Sequence, residues 1–185
     1  MLLLLDASGA EAWIGLAEGG VITARASSTV RASHGEALLP LLVEVLGSHR
    51  PSELEGIVAG VGPGSFTGIR VALATALGLR RACGTPIVTV DTFECLMAQA
   101  TDPRAASLVT VPALPGEVYA EAWDDGRASA AAIVVAEADL PTDRVRVTGA
   151  ITLESLLDAS RGKSPVDVLL PRYVAPPKIT LPTPR

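Results

Sequence analysis

The chain has 185 residues, is 49% hydrophobic and only 19% charged, and carries a formal net charge of -5. That length suits one domain or two small lobes sharing a core, and the apolar content excludes a disordered chain. A membrane-spanning helix needs about 18 uninterrupted apolar residues, and no such run occurs, while the acidic balance opposes autonomous binding of nucleic acid.

Residues 2–5 form an apolar run ending at Asp6, the pattern of a strand buried on both faces. No basic region precedes it and no small-residue cleavage pattern follows, so a cytoplasmic protein without a signal peptide is expected. Residues 12–17 and 21–26 flank Gly19-Gly20 and predict a hairpin. Ser33 and Glu36 offer a Ser-x-x-Glu capping box for a helix over 34–46, which Pro40 should kink. A strand at 56–61, a glycine-rich turn at 62–64 and a helix over 67–82, stopped near Gly84, come next. Residues 87–90 predict a short strand and 92–100 a helix. This order gives an α/β fold whose mixed sheet is antiparallel at one edge and covered by helices.

After Asp102-Pro103 the texture changes. Residues 108–111, 118–123 and 131–135 predict strands separated by turns, and 151–159 predict a helix. The last fifteen residues hold five prolines and predict an extended tail. A boundary near residue 101 would divide a first lobe, 1–101, from a smaller second lobe and tail, 102–185.

Two segments could carry chemistry. The run Gly60-Val61-Gly62-Pro63-Gly64-Ser65-Phe66-Thr67-Gly68-Ile69-Arg70 joins a strand to a helix, so its backbone N–H groups could cradle an anion. It lacks the Gly-Lys-Ser/Thr of a Walker loop and the dinucleotide-binding fingerprint, so a structural turn that needs glycine dihedrals is favoured over phosphate binding. Asp6 and Ser8 stand where actin-like and sugar-kinase-like ATPases place a carboxylate beside nucleotide phosphates; an Asx-type turn is the competing explanation. The cofactor candidates are therefore Asp6, Ser8, Gly62 and Gly64, and they are weak. The matching second phosphate loop would fall at 108–113, which has neither a carboxylate nor a glycine pair, so no cofactor and no catalytic residue is expected. Cys83 and Cys95 form no Cys-x-x-Cys pair, and His34 and His49 are poorly spaced for one metal, so no metal site is expected either.

Several motifs occur in order: Leu4-Leu5-Asp6-Ala7-Ser8, His34-Gly35-Glu36-Ala37-Leu38-Leu39-Pro40, Gly62 to Arg70, Gly116-Glu117-Val118-Tyr119 and Pro171-Arg172-Tyr173-Val174. Together they resemble the TsaB (YeaZ) family, densely over residues 1–100 and patchily beyond. The resemblance implies a two-lobed actin-like (ASKHA, ribonuclease H-like) fold with a mixed five-stranded sheet in the first lobe and a reduced second lobe. It also implies a dimerization subunit of the bacterial tRNA threonylcarbamoyladenosine machinery, without catalysis of its own. The implied partners are a TsaD-like catalytic subunit and, in the larger complex, a TsaE-like ATPase. A homodimer through the same helices is the further possibility, and tRNA is met only indirectly. The related catalytic subunit holds a metal on a His-x-x-x-His helix; here His34 matches the first position and Leu38 replaces the second. The chain also departs from its relatives at Pro112-Ala113-Leu114-Pro115.

The helices themselves suggest a partner surface. Apolar residues cover more than half the circumference of the 34–46 helix, more than one sheet should need. On the 67–82 helix, Ile69, Leu73 and Leu77 share a side with Arg70, an apolar centre with a basic rim. Leu38, Leu42, Val45, Leu46, Gly68, Ile69, Arg70, Ala72, Leu73 and Leu77 are thus the expected interface. A small actin-like ATPase or phosphotransferase using Asp6 and the 62–68 loop is the alternative function, and a metallopeptidase ranks last.

Overall fold

The computed structural model describes residues 1–29 and 34–175, with the side chains of 34–37 outside the description. The expected Ser33–Glu36 capping box and the environment of His34 lie outside the described residues, as does the tail from 176 onward.

The first sheet has the order β3-β2-β1-β4-β5, built from β1 (Leu2–Asp6), β2 (Glu11–Glu18), β3 (Val21–Thr29), β4 (Gly56–Gly60) and β5 (Ile87–Val90). β1, β2 and β3 are antiparallel, and β1, β4 and β5 are parallel, so the sheet is mixed as expected. Alternation along β1 explains why its whole run is apolar. Leu3 and Leu5 face a core under α1 (His34–Leu46) and α2 (Phe66–Cys83), while Leu4 faces α4 (Leu153–Ser160) on the other side. α4 comes from beyond residue 101 yet packs on the first sheet. Its Leu153 presses on β2, where a Cβ at Gly15 would stand 2.6 Å from Leu153 Cδ1.

α1 runs through Pro40 without interruption. Ser65 caps the start of α2, its Oγ accepting the Gly68 N–H at 3.2 Å, and Gly84 closes it at φ 75°. α3 (Thr92–Met97) is shorter than expected, and Asp91 and Glu94 form a capping box at its start.

The second sheet has the order β10-β6-β7-β8, from β6 (Ser107–Pro112), β7 (Glu117–Asp124), β8 (Arg127–Ala128) and β10 (Val145–Val147), with β9 (Ile133–Ala136) also paired to β7. One face packs on α3 through Val109, Val111 and Trp123 around Phe93. No described helix is long and apolar enough to cross a membrane.

The expected interface residues need correcting here. Leu38, Leu42, Val45, Leu46, Ile69, Ala72 and Leu73 all belong to the core beneath α1 and α2, and Gly68 is buried as well. α1 packs on β2, β3 and α2 together, so it needs a wider apolar arc than a helix covering one sheet. Only Leu77 and Arg70 of that set reach the surface, half-buried and exposed respectively. The exposed apolar residues of α1 are instead Leu39 and Val43, at 59% and 72%. Leu73→Asp would place a charge in this core and destabilise the chain by roughly 3–5 kcal/mol, with loss of Tm of about 10 °C. A Tm within a degree of the parent, measured by thermal unfolding, would contradict this packing.

Candidate functional site

β1 delivers Asp6 to the bottom of a cleft between the two sheets, where its side chain is 1% exposed. Asp6 Oδ1 accepts the Ser8 N–H at 3.0 Å, and the Ser8 hydroxyl, 3.0 Å from each carboxylate oxygen, donates to the pair. This is the Asx-type turn that the Asp6-Ala7-Ser8 spacing allows. Burial raises the Asp6 carboxyl from 3.8 to about 6, and the two Ser8 hydrogen bonds oppose that rise. β4 passes so close that a Cβ at Gly60 would stand 1.8 Å from Asp6 Oδ2.

The glycine loop closes against the same turn. Ser65 N–H donates to the Ser8 carbonyl at 2.7 Å, and Thr92 Oγ1 donates to the Pro63 carbonyl at 2.7 Å. A Cβ at Gly64 would lie 2.2 Å from the Ser8 carbonyl oxygen. Gly64 is thus required by the approach of another backbone, rather than by the tight turn that Pro63-Gly64 suggests; its φ is 154°. Gly62, at φ 89°, sits over Ile69 and the Arg172 carbonyl. The Ser65 N–H, which an anion cradle would need, is spent inside the protein, and so is the Gly68 N–H.

A second cluster joins the sheets. Arg172 donates from one terminal nitrogen to Asp91, at the start of α3, and from the other to Glu121 on β7. Its backbone N–H donates to the Val61 carbonyl at 2.8 Å, and its guanidinium lies 5.1 Å from the centre of the Phe93 ring. Glu121 is 2% exposed and also accepts Trp123 Nε1–H at 2.9 Å. Burial, reinforced by the neighbouring Glu94, raises the Asp91 carboxyl to about 6; the Glu94 N–H it accepts and the Arg172 charge oppose that rise. Next along the chain, Tyr173 stacks on Phe66 at 5.1 Å and its hydroxyl accepts Arg70 Nε–H at 3.1 Å. The Gly62–Arg70 and Pro171–Val174 motifs therefore meet in space.

The cleft has a volume of about 880 Å³. Of the candidate cofactor residues, Asp6, Ser8 and Gly64 line it and Gly62 does not. Trp13, Phe66 and Ile151 form one side, and Val111, Leu114 and Tyr119 belong to the opposing one. Pro112-Ala113, where a second phosphate loop would be, is part of that apolar wall. The Arg172–Asp91–Glu121 cluster was not anticipated as a set, although Arg172 and Tyr173 lie inside a quoted motif. Among the described residues, no group of three His, Cys, Asp or Glu side chains could hold a metal ion. Cys95 is buried, with its thiol pushed up by desolvation and so unreactive, and Cys83 is half-buried.

Asp6 and Asp91 bind their protons near pH 6 when folded and near 3.8 when unfolded. Their protonation therefore favours the fold: the stability is fully present below 3.8 and is lost as pH rises through 6. Tm should rise by several degrees between about pH 7.5 and pH 5. Asp6→Asn should be more stable than the parent at the higher pH and show a flatter profile. A parent Tm that falls steadily on acidification would contradict these environments.

Comparison with known proteins places this geometry. The family model described as TsaD, tRNA N6-adenosine threonylcarbamoyltransferase, matches residues 15–156. An uncharacterised protein of Mycobacterium tuberculosis (strain ATCC 25618 / H37Rv) is 32% identical over 121 residues, 64% of this chain and 56% of the relative. The tRNA threonylcarbamoyladenosine biosynthesis protein TsaB of Escherichia coli (strain K12) is 28% identical over 122 residues, 64% of this chain and 52% of the relative. The chain thus spans about half the length of these curated relatives. The solved structure of YeaZ from Pseudomonas aeruginosa superposes with a TM-score of 0.73 at 21% identity, covering 93% of this chain and 98% of that one. That likeness shows a shared α/β fold built on two sheets. The matched family, the order of motifs and the superposition agree: the chain belongs to the threonylcarbamoyltransferase family, within its TsaB (YeaZ) branch.

Proposed function

We propose that this chain is a non-catalytic subunit required for making N6-threonylcarbamoyladenosine at the tRNA adenosine beside the anticodon. It pairs with a TsaD-like catalytic subunit, and a TsaE-like ATPase joins the larger complex. Residues 1–101 supply the helices that face the partner, and β6 and β7 of the second sheet supply the opposing wall of the cleft. Family membership supports the pathway. The observation that supports the non-catalytic role is that two N–H donors of the glycine loop are already used inside the protein, Ser65 N–H by the Ser8 carbonyl and Gly68 N–H by Ser65 Oγ.

The partner face is best carried by the outward sides of α1 and α2. Leu39 and Val43 stand exposed on α1, and Ala74 and Gly78 give α2 a low-profile exposed surface. Apolar side chains beside small residues suit close helix packing across an interface. The net charge of -5 fits a subunit that leaves tRNA binding to its partners.

The test is reconstitution of modification with the catalytic subunit, the ATPase subunit and a threonylcarbamoyl-adenylate donor. Leu39→Asp combined with Val43→Asp should abolish co-purification and modification while Tm stays near the parent value, because both side chains are already solvated. Ser65→Ala should cost about 1 kcal/mol of stability through the lost cap, with modification retained. Magnesium-dependent ATP turnover by the isolated chain, or loss of modification on Ser65→Ala with the complex intact, would overturn the non-catalytic reading.

A further inference from the structure

The inter-sheet cleft has no task in a subunit that acts through its helices, yet its size falls in the range of small-molecule sites. We propose that it binds a small organic cation with an aromatic or branched apolar body. This site is separate from the helical faces assigned to the partner, and its test is independent of tRNA modification.

Charge selects the class of ligand. The charged side chains lining the cleft are Asp6, Glu11, Glu117 and Arg172, and Glu117, which already interacts within the protein, is left out of the balance. The single guanidinium sends its two terminal nitrogens to Asp91 and Glu121, so its charge is matched by carboxylates before any ligand arrives. Asp6 lies at the floor and Glu11 begins the neighbouring strand, so the remaining field favours a positive group. Two of the donors an anion would use, the Ser65 and Gly68 N–H groups at the start of α2, already donate to Ser8 and Ser65.

The walls select the body. Trp13 and Tyr119 bring aromatic rings to the cleft, Phe66 adds an edge while its face is taken by Arg70 at 3.9 Å, and Leu114, Val134 and Ile151 add aliphatic surface. Aromatic rings attract cations through their electron-rich faces, and the effect strengthens where water is excluded. A carboxylate floor beneath aromatic walls fits an aryl amine or amidine better than a phosphorylated or carboxylated compound of the same size.

Nuclear magnetic resonance titration of the full chain tests this, read from the Trp13 indole N–H and the amides of the 62–68 loop. The probes are benzamidine, phenethylamine, phenethyl alcohol, phenylacetate and phenyl phosphate. The two cations should bind saturably and at least about tenfold more tightly than the two anions. Glu11→Gln should weaken the cations severalfold and leave phenethyl alcohol unchanged. Ala113→Trp should fill the cleft and abolish binding of both cations. Anions binding as tightly as cations, no saturable binding by any probe, or cation binding that survives Ala113→Trp in a folded protein would each overturn the proposal.

Discussion

The arrangement of the two sheets depends on one buried carboxylate finding its counter-charge. Glu121 sits on β7 facing α3, at 2% exposure, among residues that otherwise bury apolar surface. An ionised carboxylate there is costly unless it is paired and hydrogen-bonded. Arg172 supplies the charge and Trp123 the second donor. Because Arg172 also reaches Asp91 and is tied by its backbone to the end of β4, the pairing joins the first sheet to the second.

The cleft follows from that join. Arg172 fixes Tyr173 beside it, Tyr173 stacks on Phe66, and Arg70 lies 3.9 Å over the Phe66 ring while donating to the Tyr173 hydroxyl. The start of α2 is therefore held from two directions, by these rings and by the Ser8–Ser65 hydrogen bond. The loop is thereby packed onto the β1 turn through the Ser65 N–H and the Ser8 carbonyl. Asp6 accepts hydrogen bonds from the Ser8 N–H and hydroxyl.

Much of this was legible in the residues. The unbroken apolar run at 2–5 announced a central strand, Gly19-Gly20 a hairpin, and Gly84 the end of α2. The Asx turn at Asp6 and the Ser65 cap also follow from local chemistry. Other features were hidden for physical reasons. β10 is three residues with a charged centre, Val145-Arg146-Val147, and exists only because β6 offers a parallel edge. Glu121 breaks an apolar strand, and its partner is far away in sequence, so spacing does not reveal the pair. Which helix residues reach solvent was hidden because a helical wheel measures the width of an apolar arc, not how many neighbours cover it; Leu73 and Leu42 are consumed by the core, and Leu39 and Val43 are not.

The most direct measurement is a double-mutant cycle on Arg172 and Glu121, read by urea unfolding. Arg172→Met alone should destabilise the chain by about 3 kcal/mol or more, because it leaves Glu121 buried without its charge partner. Adding Glu121→Gln should recover a large part of that loss, giving a coupling of at least about 1 kcal/mol between the two sites. Strictly additive effects, agreeing within about 0.5 kcal/mol, would contradict the claim that this pair joins the sheets.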